Sequence, residues 1–238
     1  MPMQERYLGD SHDFVKYALL RYLHSNLNLR VGVNWYLTER TIDHCSNNDG
    51  EKRHHLKGGS WQRWDASLFD SIRIFEEKKH RVLRKVSAHK ILPADTLYFE
   101  DIVPTSDRTL WHERGMSALS GADIVFLDPD NGFEVKSASS KKLPKYSLYS
   151  EAVDYHKQGK IVVSIQFARQ CCPERKARDI RANLYEQASY TAQLPILRGR
   201  VAPNILFIFL APSADASRLT QTLINFSAMS EGKAELIY

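Results

Sequence analysis

Three cysteines in 238 residues are too few, and too awkwardly spaced, for a disulfide framework. Cys171 and Cys172 are neighbours, a poor geometry for pairing with each other, and Cys45 leaves the count odd. Reduced thiols in a cytoplasmic protein are the expectation. No C-x-x-C occurs. Cys45 lies near His44, His54 and His55, but without the turn-like ligand spacing that zinc needs these read as solvated loop histidines, and no metal site is expected. No apolar run approaches a membrane span. The longest, Ile205 to Pro212, suits a buried strand. The opening Met-Pro-Met-Gln-Glu-Arg has no apolar core, so no signal peptide is expected. Glycine is scarce, at eleven residues, and no G-x-G follows the first expected strand. No Ser-His-Asp or Cys-His arrangement is visible in the spacing.

What is present is ordinary for a globular chain: 43% hydrophobic and 26% charged residues, enough to bury a sheet between helix layers in one domain. The net charge of +5 permits binding to phosphates. Basic residues gather in three places: Lys78, Lys79, His80, Arg81, Arg84 and Lys85; Lys141, Lys142 and Lys145; and Arg175, Lys176, Arg178 and Arg181. Each alone reads as a solvated face. Together, flanking one candidate site, they have the electrostatic footprint of a nucleic-acid-binding protein.

Periodicity predicts helices over 11–25, 109–119, 146–158, 172–192 and 214–227, and a mostly helical segment over 61–86. Asp10 or Ser11 is placed to cap the first. Strands are predicted over 30–37, 96–103, 124–127, 160–166, 204–211 and 234–238. The polar stretch 43–59 reads as a loop. The alternation implies a three-layer, Rossmann-like α/β domain spanning 1–238, with a mostly parallel sheet and a helical insertion at about 43–90 after the first strand. In such sheets ligands bind beyond the carboxyl ends of the strands.

The strongest local signal is Phe126-Leu-Asp-Pro-Asp-Asn-Gly-Phe133. A buried strand runs into a carboxylate, proline stiffens the exit, and glycine turns the chain. Asp128 and Asp130 flank the proline and are expected either to face one ligand together or to bind a divalent metal through oxygen. An Asx-bonded turn is the plainer alternative. Gln166-Phe-Ala-Arg169 follows another strand and reads either as part of the same rim or as a generic loop. His12 precedes the first helix, where a capping or exposed role is expected. Trp61 and Trp64 read as core residues of the insertion.

The Asp128 turn resembles the Asp-Pro-Pro-Tyr motif of amino-methylating class I methyltransferases. Gly9-Asp-Ser-His-Asp-Phe-Val-Lys16 is similar to the Gly-x-x-x-Asp-x-x-Lys segment of the bacterial large-subunit ribosomal RNA adenine-N6 methyltransferases. The resemblance implies S-adenosylmethionine as cofactor and RNA or DNA as partner. It assigns catalytic roles to Asp128, Asp130, Asn131 and Lys16, and cofactor contacts to Asn34, Trp35, Asp13 and Asp101. It further implies that Asp13 and Lys16 lie close to the Asp128 turn. Two departures stand: no glycine-rich loop follows the first strand, and Asn131 occupies the motif's aromatic position, leaving Phe133 or Trp35 to offer a stacking face.

Two other classes fit the letters. A methyltransferase-like fold without a cofactor site would make a non-catalytic protein that binds nucleic acid or another partner. Pro129-Asp130 followed by Glu134-Val-Lys136 matches the P-D…E-x-K pattern of metal-dependent nucleases, in which Asp130 and Glu134 would hold magnesium.

Overall fold

The computed structural model describes Glu5, residues 7–39 and residues 52–238. His44, Cys45 and the first part of the expected insertion lie outside the described residues. Among the described residues seven strands form one sheet: β1 (Val31–Asn34), β2 (Leu97–Phe99), β3 (Ile124–Leu127), β4 (Ile161–Ala168), β5 (Ile196–Gly199), β6 (Asn204–Leu210) and β7 (Ala234–Ile237). Their order is β2-β1-β3-β4-β6-β5-β7. The β2-β1-β3-β4 half is parallel. From β4 through β6 and β5 to β7 every pairing is antiparallel. The sheet is Rossmann-like and mixed.

Strand periodicity assigns the faces. Val31, Val33, Ile124, Phe126, Ile161, Val163, Phe207 and Phe209 pack into one core. On that side lie α1 (Ser11–Leu27) and α8 (Ser213–Met229), with α2 (Ser60–Trp64), α3 (Ala66–Ile72) and α4 (Arg84–Ala88). Val125, Leu127, Val162, Leu206 and Ile208 belong to a second core. It is covered by α5 (Arg108–Ala118), α6 (Tyr149–Lys157) and α7 (Pro173–Ala188). No described helix is long and apolar enough to cross a membrane.

Most elements fall where the sequence puts them, and the differences have local causes. The expected helix over 61–86 is broken. Asp65 leaves the helical conformation, ends α2 and caps α3 by accepting from Leu68 N at 2.8 Å. Trp61 packs edge-on against Phe14, and Trp64 is buried in the α1-side core. His55 is fully buried rather than solvated, with its Nδ1 3.1 Å from Ser11 Oγ and its ring against Phe14 and Trp61. Burial, reinforced by Arg53, lowers its pKa to about 4, so it sits there neutral. Arg81 also leaves the expected solvated face: it is buried, and its Nε donates to Phe75 O at 2.9 Å. Strand β5 has no counterpart among the sequence expectations.

Candidate functional site

The sheet's topological switch lies between β1 and β3. Strand β2 is on one side of β1, and β3 is on the other. A crevice opens at the carboxyl ends of such a pair. Here it is a cavity of about 560 Å³, within the range of small-molecule sites.

Parity explains which side chains reach it. Asp128 continues the sequence Ile124, Phe126 and so faces α1. Trp35 continues Val31, Val33 on the same face, and Phe167 and Arg169 continue Ile161, Val163 and Ile165. Trp35, Asp128, Phe167 and Arg169 all line the cavity. The backbone at Asp128 is still in the ladder, its N–H donating to Asn34 O at 3.0 Å.

Helix α1 supplies the opposite wall. Asp10 caps it, accepting from His12 N at 2.8 Å and Asp13 N at 2.9 Å. Asp13 turns back and accepts from Gly9 N at 2.8 Å. Gly9 has φ +76°, and a Cβ there would stand 2.4 Å from Phe75 Cβ, so only glycine fits. One turn along, Lys16 Nζ lies 3.2 Å from Asp13 Oδ1 and 2.9 Å from Asp128 Oδ1. All three side chains are about nine-tenths buried.

Burial dominates the electrostatics. It pushes Asp128 up to about 6, against the opposing pull of Lys16, and nearby Asp13 adds to the rise. Asp13 is raised for the same reason, despite Lys16. Asp130 is raised by burial, with Lys145, Lys16 and Arg169 pulling it back. Asp10 runs the other way: burial would raise it, but the hydrogen bond and charge of His12 prevail and hold it below the usual carboxylate value. Lys16 is held above the usual lysine range, because the attraction of Asp128 and Asp13 outweighs desolvation. The cavity therefore carries more carboxylate than cation on its inner wall, a pattern found at functional sites.

His12 is buried, not exposed. Its Nε2 donates to Pro203 O at 2.8 Å, and its Nδ1 lies 3.3 Å from Asp10 Oδ2. This ties the start of α1 to the segment entering β6.

The Asp128-Pro-Asp-Asn-Gly turn is braced from β4. Gln166 Oε1 accepts from Phe133 N at 3.0 Å, and Gln166 Nε2 donates to Asn131 O at 3.2 Å. Gly132 has φ +88°, and a Cβ there would meet Gln166 Oε1 at 2.4 Å. Asn131 N donates to Lys145 O at 2.9 Å, which docks the following loop onto the turn.

Asp128, Asp130, Asn131, Lys16, Asp13 and Trp35 are brought together around the cavity. Asn34 is not: the parity that turns Trp35 inward turns Asn34 to the other face, where its Oδ1 accepts from Tyr36 N at 3.2 Å. Asp101 is half exposed and bonded to Arg114 at 3.1 Å, away from the cavity. Phe133 is fully buried and stacked on Tyr149, with centroids 4.5 Å apart, so it offers no face to a ligand. Glu134 accepts from Tyr149 N at 3.0 Å at the start of α6 and does not join Asp130 at the cavity. Among the described residues no group of three His, Cys, Asp or Glu side chains is arranged to hold a metal ion.

Sequence reasoning missed Tyr7, Leu83 and Pro203, which complete the walls. They carry no motif and arrive there by packing. Tyr36 was also missed. It holds φ +49° two residues beyond the end of β1, a conformation that favours glycine. Its hydroxyl donates to Glu151 at 2.9 Å, and Glu151 in turn receives Arg108 Nε at 2.6 Å. Such backbone strain near a site persists only when its surroundings fix it. Comparison with protein-family models and with curated protein sequences finds no match to this chain.

Proposed function

We propose that this chain is a methyltransferase-like protein that uses S-adenosylmethionine to methylate an exocyclic amine of RNA or DNA. The observation that carries the reading is the Lys16–Asp128 pair, 2.9 Å apart in a cavity at the β1/β3 switch.

Two orphaned atoms test the fit of the cofactor. Trp35 Nε1 and Asp130 Oδ2 are buried without a hydrogen-bond partner, and both residues line the cavity. One is a donor and the other an acceptor, so a ligand carrying both functions satisfies them. S-adenosylmethionine has both, and its positive sulfonium suits the carboxylate-rich wall and the indole face. When bound, it supplies an electrophilic methyl group.

The chain's own residues do the rest. Asp128 accepts a hydrogen bond from the target amine and so orients its lone pair. Its pKa of about 6 leaves it ionised at neutral pH yet basic enough to receive the proton the amine gives up. Lys16 fixes the carboxylate's direction. The α1 wall excludes water, which strengthens these interactions. Asp128 is only 7% exposed, so a base held in a duplex cannot reach it and a paired target has to be flipped out.

A second reading, a binding protein without cofactor on the same fold, is favoured by one observation. The bulky Trp35 and Tyr36, not glycines, form the exit of β1. Labelled S-adenosylmethionine incubated with the protein and bulk RNA or DNA separates the two. Incorporation lost in Asp128→Asn supports the enzyme. No cofactor binding and no incorporation would leave the binding protein.

A further inference from the structure

Two basic segments each reach the cavity wall through one residue, Lys145 and Arg169. The first is the loop after the Asp128 turn, with Lys136, Lys141 and Lys142 exposed and Lys145 at the cavity wall. This loop is mounted rigidly: Arg108 donates to Leu143 O at 3.0 Å and to Tyr146 O at 2.6 Å, and Ser147 N donates to Gly132 O at 3.0 Å. The second leaves the carboxyl end of β4. Arg169 is exposed, lines the cavity and lies over the Phe167 ring, 5.1 Å from its centroid. Arg175 and Arg178 follow, exposed, in the first turns of α7, which leaves the carboxyl end of β4 on the other face of the sheet. Glu174 is held by Arg198 at 2.7 Å, a cation that Glu235 shares at 2.8 Å.

We propose that the two segments clamp the phosphates on either side of one unpaired nucleotide, making the cavity mouth a binding surface for single-stranded nucleic acid. The recessed acidic wall repels a phosphate, whereas the rim attracts it, so a strand lies across the mouth with one base turned inward. The Arg169–Phe167 pair gives a flat cationic surface beside that base, on which a neighbouring base stacks. The inference rests on reading the cavity as a nucleobase site, but it requires no cofactor.

The test is fluorescence anisotropy with labelled single-stranded RNA and DNA of about a dozen nucleotides, and with the corresponding duplex, in the absence of S-adenosylmethionine. Single strands are expected to bind more tightly than the duplex, with affinity falling as salt rises. The pair Lys141→Glu and Lys142→Glu should weaken binding about tenfold or more and flatten the salt slope by about one for each phosphate left without its lysine. Arg169→Ala should weaken it similarly. Lys157→Glu, at the opposite edge of the sheet where α6 leads into β4, should change little. No binding at low salt, equal affinity for duplex, or an equal loss in Lys157→Glu would overturn the proposal. Strand binding without methyl transfer would leave this surface standing and remove the enzymatic reading alone.

Discussion

Lys16 and Asp128 meet at 2.9 Å although one lies on the first helix and the other beyond the third strand. The contact joins the α1 layer to the sheet at the point where the strand order reverses. Asp13 shares the same ammonium at 3.2 Å, so one buried cation serves two carboxylates. That arrangement makes Asp128 sensitive both to protonation and to loss of its partner.

Protonation should be visible directly. Carboxyl carbon NMR is expected to show one aspartate titrating near pH 6 that is missing in Asp128→Asn. Because the folded pKa is raised, the unfolded chain ionises first as pH rises from about 4 to 6. The folded state then binds more protons, so wild-type stability should fall relative to Asp128→Asn over that window. A wild-type advantage that grows with pH would contradict this.

Asp128→Ala should cost both activity and stability. A carboxylate beyond the end of a strand is ordinarily solvated and its loss nearly free, but Asp128 is 7% exposed and paired. Removing one member of a buried pair costs about 3–5 kcal/mol; here Lys16 keeps Asp13, so about 1–3 kcal/mol is expected. Methyl transfer should drop about 100-fold or more. Urea unfolding and labelled-methyl incorporation measure the two. Unchanged activity in a destabilised variant would make Asp128 a structural residue.

Gly132→Ala tests the brace on the turn. The new Cβ meets Gln166 Oε1 at 2.4 Å and sits at φ +88°. A loss of about 1–3 kcal/mol is expected, with weaker ligand binding because Gln166 also holds Asn131 and Phe133. Wild-type stability in urea would show that the turn is not held this way.

Glu151→Ala should destabilise more than any of these, by about 3–5 kcal/mol. Its carboxylate accepts from Arg108, Tyr36 and the Leu148 N–H while almost fully buried. Glu151→Gln should recover part of the loss. A Tm within a degree or two of wild type would mean that the cluster does not fix Tyr36 and the end of β1.

Much of this was legible in the sequence. The β3 run is apolar at every position because both faces are covered, and its abrupt end in Asp-Pro-Asp-Asn-Gly lies at the wall of the cavity. Lys16 and Asp13 were singled out only by the resemblance of the Gly9–Lys16 segment, and the structure sets both beside Asp128. Asn34 and Asp101 lie away from the cavity: consecutive strand residues face opposite sides of the sheet, so Asn34 and Trp35 cannot both enter it. Strand β5 was invisible: four residues containing Arg198 and Gly199 have little strand character, and it is pairing with β6 and β7 that orders them. The burial of His55 and His12 comes from tertiary packing and left no local mark.

The most direct test of the central claim is calorimetric titration of S-adenosylmethionine into the wild type and into Trp35→Phe, which keeps a ring but removes the unpartnered indole N–H. The account predicts one saturable site in the wild type. It predicts affinity about tenfold weaker in the variant, the equivalent of one hydrogen bond of about 1.4 kcal/mol. No heat of binding in the wild type, or equal affinity in the two proteins, would contradict it.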